Sequence, residues 1–233
     1  MEPTEENRRA WDRLQQARIE ASTEQPGLPE PIRSLLPDLT GKHVLHELCG
    51  TGETSAALAA RGALVTGIDV AEAPLASARE RFPDVAFLQA DPHQLPVNLR
   101  RRRFDLVYAS GLLPYLHDLD AWAGEAAAAL RDGGMLLVVD LHPAGACVDG
   151  TTLRWRENYF GGALLVGRRL QPLGTLRLWT FAEVVNAVVA AGLAVARVEE
   201  YPSLSTIRRR DPRIPGAFAL VAQKLAAGGA ESG

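Results

Sequence analysis

Three short motifs in the first half of the 233-residue chain could together bind a nucleoside. Cys49-Gly50-Thr51-Gly52 lies between a β-like run and a helical run, where glycines permit a tight turn and a close approach of backbone to ligand. Asp69 ends the next β-like run, 17 residues after Gly52, a spacing suited to hydrogen bonds with ribose hydroxyls. Asp91 follows the third run. Because ligands of open α/β sheets bind at the carboxyl ends of strands, the motifs predict a nucleoside site.

The elements that must position these motifs alternate between strand and helix. The strands are predicted over residues 43–48, 64–69, 85–90, 104–109, 135–140, 193–199 and 217–223. The helices are predicted over residues 5–22, 54–61, 71–81, 119–130 (ended by Asp132-Gly133-Gly134) and 179–191, with a helical turn at 32–36. This alternation favours an α/β fold with a mostly parallel sheet. Apolar residues run without a break through the third, fourth and fifth strands, which predicts strands covered on both faces.

One long segment, residues 143–178, interrupts this alternation between the fifth strand and the last helix. Gly161-Gly162 separates two β-like runs inside it and predicts a β-hairpin. Long insertions at strand ends commonly form lids or substrate walls, which is the role expected here. The predicted organisation is an N-terminal helical segment over 1–40, a domain over 41–224 that contains the insertion, and a disordered tail over 225–233.

The composition narrows the classes of partner. With 25 Lys and Arg against 28 Asp and Glu, the formal net charge is −3, which argues against a sequence-independent nucleic-acid binder. Two cysteines, Cys49 and Cys147, give neither a disulfide framework nor a zinc site. The chain has no apolar run of the ~18 residues that a membrane helix needs and no signal-peptide core. We expect a soluble cytoplasmic protein with no metal, membrane or nucleic-acid partner, and a homodimer is left open.

Beyond these patterns, residues 43–141 resemble the core of class I S-adenosylmethionine-dependent methyltransferases. The stretches that carry the resemblance are residues 44–52 (VLHELCGTG), 65–70 (VTGIDV), 88–91 (LQAD), 104–111 (FDLVYASG) and 130–136 (LRDGGML). The resemblance implies a Rossmann-like sheet of seven mostly parallel strands in the order 3-2-1-4-5-7-6, with strand 7 antiparallel and helices on both faces. It also implies methyl transfer from S-adenosylmethionine to an O, N or C nucleophile of a small metabolite, with S-adenosylhomocysteine as product.

The same resemblance implies which residues bind the cofactor. The two glycines would pass beneath its methionine part, Asp69 would bind the ribose, Asp91 would accept from the adenine amino group, and Ser110 would face the methyl. Trp11, on the N-terminal helix that covers the cofactor in this family, either closes over the cofactor or packs its helix. The full set of implied cofactor-binding residues is Trp11, Glu47, Cys49, Gly50, Gly52, Asp69, Val70, Asp91, Pro92, Ser110 and Gly111.

The chain departs from the family pattern at the end of the first strand. His46 stands where the family usually has an acid, and Leu48 stands where it usually has a glycine. Glu47 is acidic but lies one position later, which in a strand points to the opposite face. His46 and Glu47 should have hydrogen-bond partners, because burial of a polar side chain without a hydrogen bond costs free energy. Either a hydrogen-bond network between the two side chains or a contact with the ligand would provide these partners.

Three side chains are candidates for acid–base catalysis. His142 follows the fifth strand beside the expected methyl pocket, and a histidine there could take a proton from an acceptor hydroxyl or amine. A structural histidine that caps a turn is the alternative. Tyr115 and His117 follow the fourth strand and could also line the pocket. The enzyme could equally work by alignment of the acceptor alone.

Three rival functions remain open at this stage. A nicotinamide-dependent oxidoreductase would use the motif G-x-G-x-x-G, but Ser55 stands here in place of the third glycine. A nucleic-acid base methyltransferase often carries an Asn/Asp-Pro-Pro-aromatic turn after the fourth strand, where this chain has Ala109-Ser110-Gly111-Leu112. An S-adenosylmethionine-binding protein of the same fold could instead do other chemistry or act as a partner subunit, because fold does not fix function.

Overall fold

The computed structural model describes residues 28–101, 103–149, 152–162, 176–202 and 212–226. The strands in these ranges are β1 (His43–Glu47), β2 (Leu64–Asp69), β3 (Ala86–Gln89), β4 (Phe104–Ser110), β5 (Leu130–Leu141), β6 (Leu193–Tyr201) and β7 (Ala217–Lys224). The helices are α1 (Glu30–Arg33), α2 (Glu53–Ala59), α3 (Glu72–Arg81), α4 (Leu119–Ala129), α5 (Pro143–Ala146) and α6 (Phe181–Ala190), with a 3-10 turn at Leu113–Tyr115.

The strands form one sheet in the order β3-β2-β1-β4-β5-β7-β6. The first five strands in that order are parallel to their neighbours, and β7 pairs antiparallel with both β5 and β6. The expected order and the antiparallel seventh strand are therefore confirmed. Since β1 pairs with β2 on one side and β4 on the other, the topological switch point lies at the carboxyl end of β1.

Alternate residues of the central strands pack into two hydrophobic cores, one on each face of the sheet. Leu45 of β1 packs in a cluster with Trp122 of α4 and Val184 of α6. Val44, its neighbour in sequence, packs in a second cluster with Ile32 of α1. The period of two along a strand places helices on both faces, which satisfies the prediction for β4 and β5.

The prediction for β3 is wrong in one respect, because this strand is not covered on both faces. It lies at the edge of the sheet, where Phe87 is its one buried residue and Leu88 is 39% exposed. An apolar run alone does not distinguish an edge strand from a central one. The edge still supplies the packing surface for α3, which contacts β3.

The junction between α4 and β5 also differs from the prediction. The helix ends at Ala129 and β5 begins at the next residue, Leu130, which pairs with Phe104 of β4. Gly133 has a φ of +74°, and a Cβ at Gly134 would lie 2.8 Å from the Arg131 carbonyl oxygen. The two glycines therefore form an irregular stretch within the pairing of β4 and β5, and they do not cap the helix.

The start of α6 matches its sequence signal. The Thr180 hydroxyl accepts a hydrogen bond from the Glu183 backbone N–H at 3.2 Å, and the Glu183 carboxylate accepts one from the Thr180 N–H at 2.8 Å. This reciprocal pair is the capping box that Thr180 and Glu183 predict. It fixes where the chain enters α6 after the insertion.

Within the insertion, α5 is followed by an isolated bridge between Val148 and Trp155. The second run of the predicted hairpin lies outside the described residues, as do the N-terminal helix with Trp11 and most of the tail. The domain boundaries therefore stay predictions. Among the helices that the structure describes, there is none long and apolar enough to span a membrane.

Candidate functional site

The turn after β1 contains three residues with positive φ. Gly50 and Gly52 have φ values of +53° and +87°, and Leu48 has a φ of +53°, which is uncommon for a residue with a side chain. A Cβ at Gly50 would meet open space, so this backbone is accessible to a ligand. A Cβ at Gly52 would lie 2.7 Å from Phe87 Cζ, so Gly52 permits close packing between the turn and β3. Its place beneath the methionine part of the cofactor stays a prediction.

Asp69, at the end of β2, joins the two neighbouring strand ends. Its Oδ2 accepts a hydrogen bond from the Gly50 N–H at 2.9 Å, and its Oδ1 accepts one from the Ala71 N–H at 3.0 Å. The residue is 4% exposed and lies on the wall of a cavity. Each carboxylate oxygen can accept more than one hydrogen bond, so these contacts are compatible with ribose hydroxyls as further donors.

The cavity at this edge of the sheet encloses about 410 Å³ of space, part of which is open to solvent. Its wall is mostly apolar, with two carboxylates at the ends of β2 and β3. It is lined by Leu48, Ile68, Asp69, Val70, Asp91, Pro92, His93, Leu112, Tyr115 and Leu116. Five of the residues predicted to bind the cofactor or transfer a proton thus share one cavity, namely Asp69, Val70, Asp91, Pro92 and Tyr115. Sequence reasoning missed His93, although it lies two residues after Asp91.

Asp91 is held in place by its neighbour His93. Its Oδ1 accepts hydrogen bonds from the His93 backbone N–H and from the ring Nδ1–H, each at 2.8 Å. Burial opposes ionisation of this carboxyl, but the two hydrogen bonds from His93 outweigh it and hold the pKa of Asp91 below its ordinary value. The Asp91 side chain is 34% exposed, so an ionised carboxylate remains accessible at the cavity.

The remaining predicted cofactor residues lie along the strand ends. The Cys49 thiol is buried, which raises its pKa and makes it unreactive. Ser110 is the last residue of β4. Gly111 follows with a φ of +65°, and a Cβ there would meet open space. The cofactor contacts of these residues stay predictions.

His46 and Glu47 do not form the mutual network that was one of the two expectations. His46 Nδ1 lies 2.7 Å from Ser55 Oγ on one face of the sheet. On the other face, Glu47 Oε2 accepts a hydrogen bond from Trp122 Nε1 at 2.7 Å. Adjacent residues of a strand point to opposite faces, so each side chain takes a partner from a different helix.

Neither side chain carries a charge near neutral pH. Burial lowers the pKa of His46 to about 3 and raises the pKa of Glu47 to about 8, the latter despite the hydrogen bond from Trp122. Glu47 is fully buried, and its Oε1 has no hydrogen-bond partner among the described residues. A direct cofactor contact by Glu47 stays a prediction, one that this burial disfavours.

A second cavity, with an empty volume of about 350 Å³, lies on the other side of the 3-10 turn. Part of its wall comes from the insertion, whose last residues are tied to the turn. The Arg177 N–H donates to the Pro114 carbonyl at 2.8 Å, and the Arg177 guanidinium stacks 3.6 Å from the Trp179 ring centroid. The wall consists of Leu113, Pro114, Asp140, Leu141, Pro143, Ala146, Arg177, Leu178, Trp179, Val184 and Phe218.

Asp140 forms the buried polar floor of this second cavity. Its Oδ2 accepts from the Leu113 N–H at 2.8 Å, and its Oδ1 accepts from the Leu141 N–H at 2.7 Å. Burial raises the pKa of Asp140 to about 6 in spite of these backbone hydrogen bonds. The carboxyl thus anchors the turn after β4 to the end of β5. In the described ranges, there is no group of three or more His, Cys, Asp and Glu side chains arranged to hold a metal ion.

His142 has both ring nitrogens engaged. Nδ1 accepts a hydrogen bond from the Ala144 N–H at 3.1 Å, which caps α5, and Nε2 lies 2.8 Å from Glu200 Oε1. A backbone N–H can only donate, so the proton of the neutral ring is on Nε2 and points to Glu200. A general base needs an available lone pair, so this geometry favours the capping role, and the base role stays a prediction.

Replacement of His142 separates the two roles. We expect His142→Asn to retain turnover within about tenfold of wild type, because its Oδ1 can accept from the Ala144 N–H as an N-cap residue does. His142→Ala should lower the free energy of unfolding by about 1 kcal/mol through loss of the cap. A fall in turnover of 10²–10⁴-fold in both variants, with cofactor affinity retained, would instead establish the base role.

Comparison with known proteins gives consistent matches. Residues 44–134 match the family model described as "Methyltransferase domain", which confirms the resemblance read from the sequence. An O-methyltransferase from Pyrenophora dematioidea is 32% identical over 165 residues, 67% of this chain and 60% of that protein. A trans-aconitate 2-methyltransferase from Paracidovorax citrulli is 33% identical over 137 residues, 55% of this chain and 49% of that protein. The chain thus spans only about half the length of these relatives.

Among solved structures, an S-adenosylmethionine-dependent methyltransferase from Mesorhizobium loti superposes with a TM-score of 0.69 at 24% identity. The match covers 83% of this chain and 95% of that one. It shows that the two proteins share a fold.

Proposed function

Since the chain has the fold of the S-adenosylmethionine-dependent methyltransferases and a methyltransferase domain over residues 44–134, we propose that it transfers a methyl group to a small molecule. The observation that carries this proposal is the first cavity. It lies at the switch point, where a glycine turn and two carboxylates from successive strand ends meet, as an adenosine-containing ligand requires.

The residues of that cavity fit S-adenosylmethionine part by part. Asp69 accepts from the ribose hydroxyls, and Val70 and Pro92 flank the adenine. Asp91 accepts from the adenine amino group, and its lowered pKa supports this because an ionised carboxylate is an acceptor only. The accessible backbone at Gly50 leaves room for the methionine part. S-adenosylmethionine supplies an electrophilic methyl group on a sulfonium when it is bound.

The protein's own contribution is alignment and exclusion of water. Holding an acceptor atom in line with the methyl group can lower the barrier by several kcal/mol without a catalytic base. Ser110 pairs with Val139 of β5 at the end of β4, and the Gly111 N–H donates to the Val139 carbonyl at 3.0 Å, just before the 3-10 turn whose residues line both cavities. We assign Ser110 and Gly111 to the methyl-transfer position. Tyr115, which lines the first cavity, and His117 remain candidates for proton transfer where the acceptor needs it.

We place the acceptor in the second cavity, on the far side of the 3-10 turn. Its apolar wall suits a partly apolar metabolite, and Arg177 adds a cation for an anionic substituent. The name of one relative, an O-methyltransferase, supports an oxygen nucleophile. The name of another, a trans-aconitate 2-methyltransferase, supports a small-molecule acceptor. The net charge of −3 supports a small acceptor over a nucleic acid. A cytoplasmic location and a homodimer stay predictions.

Arg177→Gln tests the assignment of the insertion to the acceptor wall. We expect the Michaelis constant of an anionic acceptor to rise about tenfold, on the scale of a charged hydrogen bond. The dissociation constant of S-adenosylhomocysteine should stay within about twofold, since Arg177 does not line the first cavity. An equal loss of both affinities in a folded variant would contradict a selective acceptor role for this wall.

A panel of small hydroxyl, carboxyl and amine compounds incubated with methyl-labelled S-adenosylmethionine tests the proposed reaction. The expected result is label in an oxygen-bound methyl group of one chemical class, with stoichiometric S-adenosylhomocysteine. Label on nitrogen or carbon would revise the acceptor atom. Tight binding of the cofactor without transfer to any member of a broad panel would favour the rival in which the fold does other chemistry.

A further inference from the structure

The residues after β3 form a tight turn whose geometry is set by local sequence. The Gln94 N–H donates to the Asp91 carbonyl at 3.0 Å, which closes a four-residue turn with Pro92 at its second position. Proline is favoured there because its ring fixes φ near −65°. The His93 N–H donates to Asp91 Oδ1, the usual contact of an aspartate with the backbone two residues on. The turn therefore directs the Asp91 and His93 side chains to the same place.

The His93 ring adds a second donor to the same carboxylate oxygen. Its Nδ1 lies 2.8 Å from Asp91 Oδ1, and its Nε2 accepts from the His117 backbone N–H at 3.3 Å. Because a backbone N–H can only donate, Nε2 carries the lone pair and Nδ1 carries the proton of a neutral ring. Both donors converge on Oδ1, so these two hydrogen bonds leave the lone pairs of Oδ2 for a ligand.

The contact with His117 also connects two walls of the first cavity. Asp91, Pro92 and His93 form one wall, and Tyr115 and Leu116, just before His117, form part of another. The His93 and His117 rings stack with centroids 3.9 Å apart and planes inclined by 36°. The His93 side chain is only 9% exposed, so it is packed between Asp91 and the chain after the 3-10 turn. Ring and carboxylate therefore have one arrangement relative to the cavity.

We propose that His93 is a positioning residue that makes the site selective for a 6-aminopurine, by holding Asp91 with one oxygen turned to the exocyclic amino group. This inference rests on the proposed function and assigns a specificity device within its site. An ionised carboxylate can only accept hydrogen bonds. A fixed Oδ2 therefore accepts a hydrogen bond from a 6-amino group and repels the oxygen of a 6-oxo group. Loss of the ring leaves Asp91 held by one backbone contact and able to rotate.

Calorimetric titration with two ligands tests this role. S-adenosylhomocysteine carries the 6-amino group, and S-inosylhomocysteine is the same molecule with a 6-oxo group. Wild type should bind the adenosyl compound at least about tenfold more tightly. His93→Leu should weaken the adenosyl compound about tenfold and change the inosyl compound less than about threefold, so that most of the selectivity disappears.

Two further variants separate positioning from packing. His93→Asn places an amide donor near the position of Nδ1 and should restore most of the selectivity. His93→Gln reaches the position of Nε2 instead and should behave as His93→Leu. Equal weakening of both ligands in all three variants would show a merely structural role and overturn the inference. Failure of wild type to bind either ligand would overturn the proposed function itself, whereas selective binding that His93→Leu leaves intact would overturn only the inference.

Discussion

Replacing Glu47 with glutamine is expected to stabilise the protein at pH 7, on the order of 3 kcal/mol, with a gain that grows as pH rises. Burial raises the pKa of Glu47 from its ordinary 4.5 to about 8 in the folded protein. Between these values the folded state holds a proton that the unfolded chain has released. Stability that is fully present below pH 4.5 is therefore lost by about 1.4 kcal/mol per pH unit until pH 8. Glutamine keeps an acceptor for Trp122 and has no proton to lose.

Urea denaturation of both proteins from pH 4.5 to 8 measures this difference. The difference in free energy of unfolding between the glutamine variant and wild type should be near its minimum at pH 4.5 and should increase steadily as the pH rises to 8. Buried His46 has the opposite effect, because its lowered pKa makes stability rise with pH. Both proteins contain His46, so its contribution cancels when the free energy of unfolding of wild type is subtracted from that of the variant at each pH. Glu80→Gln, on an exposed part of α3, is the matched control. Its free energy of unfolding should change with pH in parallel with that of wild type. Parallel profiles for Glu47→Gln would contradict a protonated Glu47.

Gly52→Ala is expected to lower the free energy of unfolding by about 2–4 kcal/mol. The added Cβ would lie 2.7 Å from Phe87 Cζ and 3.0 Å from Ala78 Cβ, so the packing of β3 and α3 against the turn must shift. The φ of +87° adds the strain of a left-handed conformation. Thermal and urea unfolding measure the loss, with S-adenosylhomocysteine affinity determined on the folded fraction.

Gly50→Ala provides the matched comparison, because it adds the same methyl group two residues away in open space. Its expected cost in stability is about 1 kcal/mol, from the positive φ alone. Its effect on cofactor affinity should exceed that of Gly52→Ala, since this is the backbone open to the ligand. Similar stability losses at both positions would contradict the separate roles assigned to the two glycines.

The sequence predicted most of the fold because hydrophobic runs and turn residues mark each strand end. Asp69 and Asp91 could be placed together because parallel strands end at one edge of a sheet. The partner of Glu47 could not be found this way, since Trp122 is 75 residues distant and its contact depends on how α4 packs. His142 shows a related limit. Its place after β5 was correctly identified, but Glu200 of β6 and the cap of α5 determine what its nitrogens can do.

Titration of the purified protein with S-adenosylmethionine, S-adenosylhomocysteine and NADH tests the central claim most directly. We predict one-to-one binding of the first two ligands and none of NADH. Asp69→Ala, and the milder Asp69→Asn, should weaken that binding by about 1–3 kcal/mol, the scale of a charge-assisted hydrogen bond, while the variants stay folded. Absence of binding to both sulfur compounds, tighter binding of NADH, or unchanged affinity in the folded Asp69 variants would contradict the account.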